Sequence, residues 1–133
     1  MPNKIYIAAR FSRRSEAHEL AKLLQAQGHE ITSRWVLPND DHVVPTGTSK
    51  QAADEERRRF AEEDFEDVFN ADWTISLMEQ PRNDGRGGRH VEFGIALALG
   101  HRLTIIGPRE TVFHHLVLVE HFDTVEEFVK DNT

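Results

Sequence analysis

The sequence predicts an α/β domain built on an open, mostly parallel five-stranded sheet with helices on both faces. Two observations predict it. Strand-like and helix-like segments alternate almost throughout the 133 residues, the order expected when a crossover helix follows each strand. One strand segment, Asp72 to Met78, is a near-continuous apolar run, as in a strand buried on both faces of a parallel sheet. The length fits a single domain over residues 1–133. No repeat, linker or low-complexity tract divides it.

Each element has its own justification. Lys4 to Ala9 is a short β-rich run. A helix follows, with Ser12 as expected N-cap and Glu16 in the first turn; Ala17, Leu20, Ala21, Leu23 and Leu24 recur at helical spacing up to Gly28, a natural stop. His29 to Leu37 is read as a second strand, with Ile31, Trp35 and Leu37 on one parity, and Pro38 to Ser49 as a loop. A long helix is expected from Lys50 to about Asn70, its apolar face being Ala53, Phe60, Ala61, Phe65, Val68 and Phe69. The third strand and a loop over Glu79 to Arg89 come next. A helix from about His90 to Leu99, closed by Gly100, is apolar on every side after Glu92 and is expected to be buried. Leu103 to Ile106 and His115 to Val119 are the fourth and fifth strands, and Thr124 to Lys130 the last helix.

Composition narrows the function. The net charge of −7 offers no field for a nucleic-acid backbone. The single basic run, Arg57-Arg58-Arg59, is flanked by acids on both sides and is expected to be an ion-paired, solvated helix face. There is no cysteine, hence no disulfide, thiolate metal site or thiol nucleophile, which fits a cytoplasmic setting. No stretch approaches the roughly 18 apolar residues of a membrane span, and Met-Pro-Asn-Lys ahead of Ile5 has no leader-like apolar core. The eight histidines show no metal-ligand spacing. Neither a metal nor a cofactor is expected.

Chemistry concentrates at one place. In such a sheet, ligands bind at the carboxyl edge, where the loops after the first and third strands emerge. Gly87-Gly88-Arg89-His90-Val91-Glu92 runs from that edge into the fourth-strand crossover helix. Glu92 is expected in the first turn, where the helix dipole favours an ionised carboxylate. A carboxylate so held can attack an oxocarbenium-like sugar carbon; a first-turn Glu that only complements the dipole is the plainer alternative. Asp64, near the edge of its helix's apolar face, is a second acid, although Glu63, Glu66 and Asp67 surround it. Tyr6 is a third candidate, able to orient a carboxylate or simply to fill the core. Ala9, Arg10 and Phe11 after the first strand, Met78 ending the third, and Gly88 and Arg89 are the expected substrate-binding residues. Arg10, Arg13 and Arg14 carry the charge for an anion, but without a phosphate-cradle glycine pattern.

Three blocks of the chain resemble the nucleoside 2-deoxyribosyltransferase family, which includes the 2′-deoxynucleoside 5′-monophosphate N-hydrolases. They are Ile5-Tyr6-Ile7-Ala8-Ala9; Asp64 with Asn70-Ala71-Asp72-Trp73-Thr74-Ile75; and Gly88 through Glu92-Phe93-Gly94 and Ala96 to Gly100. The resemblance covers roughly the first two-thirds of the chain. It implies a flavodoxin-like fold, a covalent sugar intermediate on Glu92, Asp64 assisting at the sugar or as proton donor, and Tyr6 orienting Glu92. It also implies a small nucleoside or nucleotide substrate and a homo-oligomer, dimer or higher, whose neighbouring subunit completes each site. The loop before the third block is more arginine-rich than in the short hydrolases, with Arg82, Arg86 and Arg89 able to take a phosphate. Beyond Pro108 the chain carries no assignable motif.

Overall fold

The structure, a computed structural model, describes residues 3–37, 47–79 and 87–132. Its centre is β3 (Trp73–Leu77), every residue of which is buried, as its apolar run requires. β1 (Lys4–Ala8) and β4 (Arg102–Ile106) flank β3, and β2 (Glu30–Ile31) and β5 (Val119–Phe122) are the edges. All four pairings are parallel, in the order β2-β1-β3-β4-β5. This is the flavodoxin-like order, and its direction reverses between β1 and β3.

Four helices cover the sheet: α1 (Arg14–Ala26), α2 (Lys50–Phe69), α3 (Gly88–Ala98) and α4 (Val125–Asp131). The strands' alternation sorts the core. Trp73 points to the face where Phe128 of α4 packs against it, ring centroids 6.0 Å apart. Tyr6, of opposite parity, points to the face covered by α3, and α2 packs beside α3. Right-handed crossovers place α2 and α3 on one face and α1 on the other, and α4, which follows the last strand, joins the α1 face through Phe128 on Trp73.

Several boundaries differ from the sequence expectation, each for a physical reason. The second strand stops after Ile31, because side chains then take over the edge of β1. The Ser33 hydroxyl accepts the Ile7 N–H (3.1 Å), the Trp35 indole donates to the Ile7 carbonyl (2.8 Å), and residues 34–36 curl into a 3-10 turn. The fifth strand lies later than His115–Val119. Residues 112–115 form a 3-10 turn capped by Thr111, and register with β4 begins only at Val119, opposite Leu103. Ser12 caps nothing: the chain enters α1 through a 3-10 turn at residues 11–13, closed by the Arg13 N–H on the Arg10 carbonyl. On α2, Ala53, Phe60 and Val68 are buried as expected, but Ala61, Phe65 and Phe69 are exposed. Nor is α3 buried all round, since Val91 and Leu99 are open to solvent.

One close approach fixes the exit from β4. Gly107 has φ +110°, and a Cβ there would lie 2.5 Å from the Met78 carbonyl oxygen. Only glycine fits.

Candidate active site

At the carboxyl edge, near the β1/β3 reversal, a pocket of about 420 Å³ is lined by Ala9, Arg10, Phe11, Ser12, Trp35, Asp64, Gly87, Gly88, Arg89 and Glu92. The segment leaving β1, Ala9 to Ser12, lines it, and Tyr6 of β1 is not among the lining residues. Tyr6 is fully buried, and its hydroxyl donates a hydrogen bond to Glu92 Oε2. Burial, together with the charges of Glu92 and Asp64, holds that hydroxyl well above its ordinary value of 10.0. At neutral pH it is therefore a proton-bearing donor facing a carboxylate.

The support of Glu92 differs from the expectation. Helix α3 starts at Gly88, preceded by Gly87 in the left-handed region at φ +74°. No acid lies in the first turn, so Glu92 belongs to the second. The unpaired N–H groups and most of the dipole effect are confined to the first turn. Tyr6 instead gives the carboxylate a buried hydrogen-bond donor.

Asp64 lines the same pocket, and its neighbours Glu63, Glu66 and Asp67 do not. Asp67, buried, accepts the Arg34 N–H and Nε–H, each at 2.9 Å, and so fastens the 3-10 turn at 34–36. Glu63 pairs with Arg59 (2.8 Å), and Glu66 lies 3.6 Å from Arg34. The basic run is engaged as expected on the helix surface, Arg57 with Asp54 and Arg59 with Glu56.

The arginines after β1 are tied into the protein. Arg10 Nε lies 3.3 Å from Glu79 Oε1. Arg13 donates to the Met78 carbonyl (3.0 Å) and to Glu16, and Arg14 to the carbonyls of Trp35 and Leu37. Phe11 and Trp35, ring centroids 6.4 Å apart, form an aromatic wall. Trp35 and Ser12 are pocket residues that sequence periodicity missed, Trp35 because it was counted as a core strand position. Met78 is buried and is not among the lining residues; its carbonyl serves Arg13 instead. Arg82 and Arg86 lie outside the described residues.

A second cavity, a groove of about 820 Å³, runs between α2 and α3. Phe65, Phe69, Val91 and Ile95 line it, and it shares Asp64, Gly88 and Glu92 with the first pocket. Among the described residues, no cluster of three His, Asp or Glu is placed to hold a metal ion, and no helix is long and apolar enough to cross a membrane.

Two solved structures share this architecture. One is the CMP N-glycosidase BcmB of Clostridium botulinum, 15% identical over 97% of each chain, with a TM-score of 0.61. The other is a 2-deoxyribosyltransferase from Bacillus psychrosaccharolyticus, 22% identical over 95% of this chain and 90% of that one, with a TM-score of 0.67. No family model matches the chain, and neither does any curated protein. The fold is thus that of proteins described as N-glycosidase and deoxyribosyltransferase, as the sequence resemblance implied.

Proposed function

We propose that this protein cleaves the N-glycosidic bond of nucleosides or nucleotides through a covalent sugar intermediate on Glu92. The observation that carries the proposal is the Glu92 carboxylate held by a buried, protonated Tyr6 in a pocket that also contains Asp64. The two proteins sharing the fold are named for chemistry at such bonds.

Glu92 attacks the anomeric carbon as the bond to the base nitrogen breaks, and the bonding electrons leave with the base. Asp64 donates a proton to the base or hydrogen-bonds the sugar. In the second step an acceptor base attacks the same carbon and the Glu92–sugar ester bond breaks, regenerating the carboxylate. Capture by an acceptor base is transfer of a 2-deoxyribosyl group; capture by water is hydrolysis. Transfer is the preferred outcome, because the two arginines that line the pocket among the described residues, Arg10 and Arg89, already pair with Glu79 and Glu110 in place of a phosphate. Phe11 and Trp35 offer a wall for the base. A second copy of the chain covers the apolar groove between α2 and α3, and the absence of cysteine suits a cytoplasmic enzyme.

The test is incubation with ribo- and deoxyribonucleosides and their monophosphates, with and without a second free base. A new nucleoside formed only with the acceptor supports transfer, while free sugar or sugar phosphate without acceptor assigns hydrolysis. Substrate that binds yet never releases base overturns the proposal in favour of a binding module.

A further inference from the structure

The start of α3 is held from a segment in which the sequence shows no motif. Arg89 Nη2 donates to both carboxylate oxygens of Glu110, each at 2.9 Å, and the two side chains are only 7% and 4% exposed. His90 Nε2 lies 2.9 Å from the same carboxylate. Glu110 is braced in turn, its N–H donating to His114 Nδ1 at 3.0 Å. The buried His114 ring meets Phe93 edge-on at 4.9 Å and faces His90 at 5.8 Å. One brace thus reaches residues 89, 90 and 93, spanning the turn that carries Glu92.

The geometry explains why this matters. At 3.6 residues per turn, His90 and Glu92 project about 200° apart, on nearly opposite sides of α3. Through His90, Glu110 holds the far side of the helix, and through Arg89, which projects about 60° from Glu92, it holds the near side beside Tyr6. Any rotation of α3 about its axis strains one attachment or the other, and the direction of the Glu92 carboxylate is set by both.

We infer that Glu110 is a positioning residue for Glu92: through Arg89 and His90 it fixes the rotation of α3 and keeps the carboxylate on the Tyr6 hydroxyl. The catalytic consequence rests on the function proposed above; the mechanical one does not.

The experiment reads both. Tyr6 is the only tyrosine in the chain, so isotope-labelled tyrosine gives a single phenolic-carbon NMR signal, and Glu92→Gln marks where that signal moves when the carboxylate is lost. In Glu110→Gln and Arg89→Met the signal is expected to shift from its wild-type position in the same direction. On the best nucleoside of the panel, kcat is expected to fall at least about tenfold with KM changed less than about threefold, the pattern of lost transition-state geometry. His90→Asn, at a part-exposed side chain, keeps a folded protein available if the buried variants fail, and shifts the signal the same way by less. Folded variants whose tyrosine signal and kcat both stay at wild type, whatever their melting temperature, overturn the inference. If the wild-type protein releases no base, the proposed function fails, and the NMR comparison still decides the brace.

Discussion

The two faces of the sheet are built to different standards. On the α1/α4 face, Trp73, Phe128 and Leu20 are sealed, the Trp73 indole donates to Thr104 at 2.9 Å, and the Arg102 guanidinium lies 3.8 Å from the Trp73 ring centre. On the α2/α3 face, Phe65, Phe69, Val91 and Leu99 remain in water, while beneath them the buried Tyr6 faces a carboxylate. The first face carries stability. The second leaves apolar surface uncovered around acidic groups, an arrangement suited to a ligand and a partner.

Five experiments break or sharpen that contrast. The largest effect is expected from Glu92→Ala, which removes turnover by about 10⁴-fold or more and, by leaving the buried Tyr6 hydroxyl without this acceptor, costs about 1–3 kcal/mol in chemical denaturation. Retained activity rules out the nucleophile assignment. On the sealed face, Trp73→Ala is expected to cost about 3–5 kcal/mol in the same denaturation assay, whereas Phe69→Ser costs the isolated chain under about 0.5 kcal/mol. Equal losses would erase the distinction between the faces.

Tyr6→Phe removes one hydrogen bond to a charged group. It is expected to lower kcat about 10- to 100-fold, and an unchanged rate would demote Tyr6 to a core residue. Phe65→Ser combined with Val91→Ser is expected to reduce the sedimentation mass to that of one chain; an unaltered mass would move the interface elsewhere.

The smallest effect concerns pH. Burial holds His114 below its ordinary value of 6.5, and His101 is lowered for the same first reason. As pH falls below about 6.5, the unfolded chain takes up these protons before the folded one does, so stability present above that value declines. His114 reinforces the effect, because its Nδ1 accepts backbone N–H groups only when unprotonated. Denaturation at pH 7 and pH 5 should show the decline, and a flat profile would contradict it.

The parallel sheet was legible because burial on both faces forces the apolar run of β3 and because parallel strands need long crossovers, which are helical here except between β4 and β5. The edges were not. At β2, Ser33 and Trp35 satisfy backbone groups that a longer strand would have paired, a substitution that periodicity does not register. At β5, the apolar Leu116-Val117-Leu118 resembles a strand but lies ahead of the register with β4. Within the site, Tyr6 and Asp64 stood out by resemblance, and Glu92 by resemblance and by its place at the carboxyl edge. Separating Asp64 from Asp67 required knowing that Arg34 arrives from a turn 33 residues away. Glu110 and His114 gave no signal at all, since their meaning lies entirely in contacts with α3.

Gly107 bears on how this protein can diversify. Its steric lock against the Met78 carbonyl sets the direction in which the chain leaves β4, just upstream of the segment that reaches α3. Substitutions and insertions that spare Glu110 and His114 can vary what the rest of the connection presents, while its point of departure stays constant. A lineage keeping this glycine can explore new surface chemistry beside the pocket without re-aiming the chain, whereas one that loses it must rebuild the crossing before anything else can change.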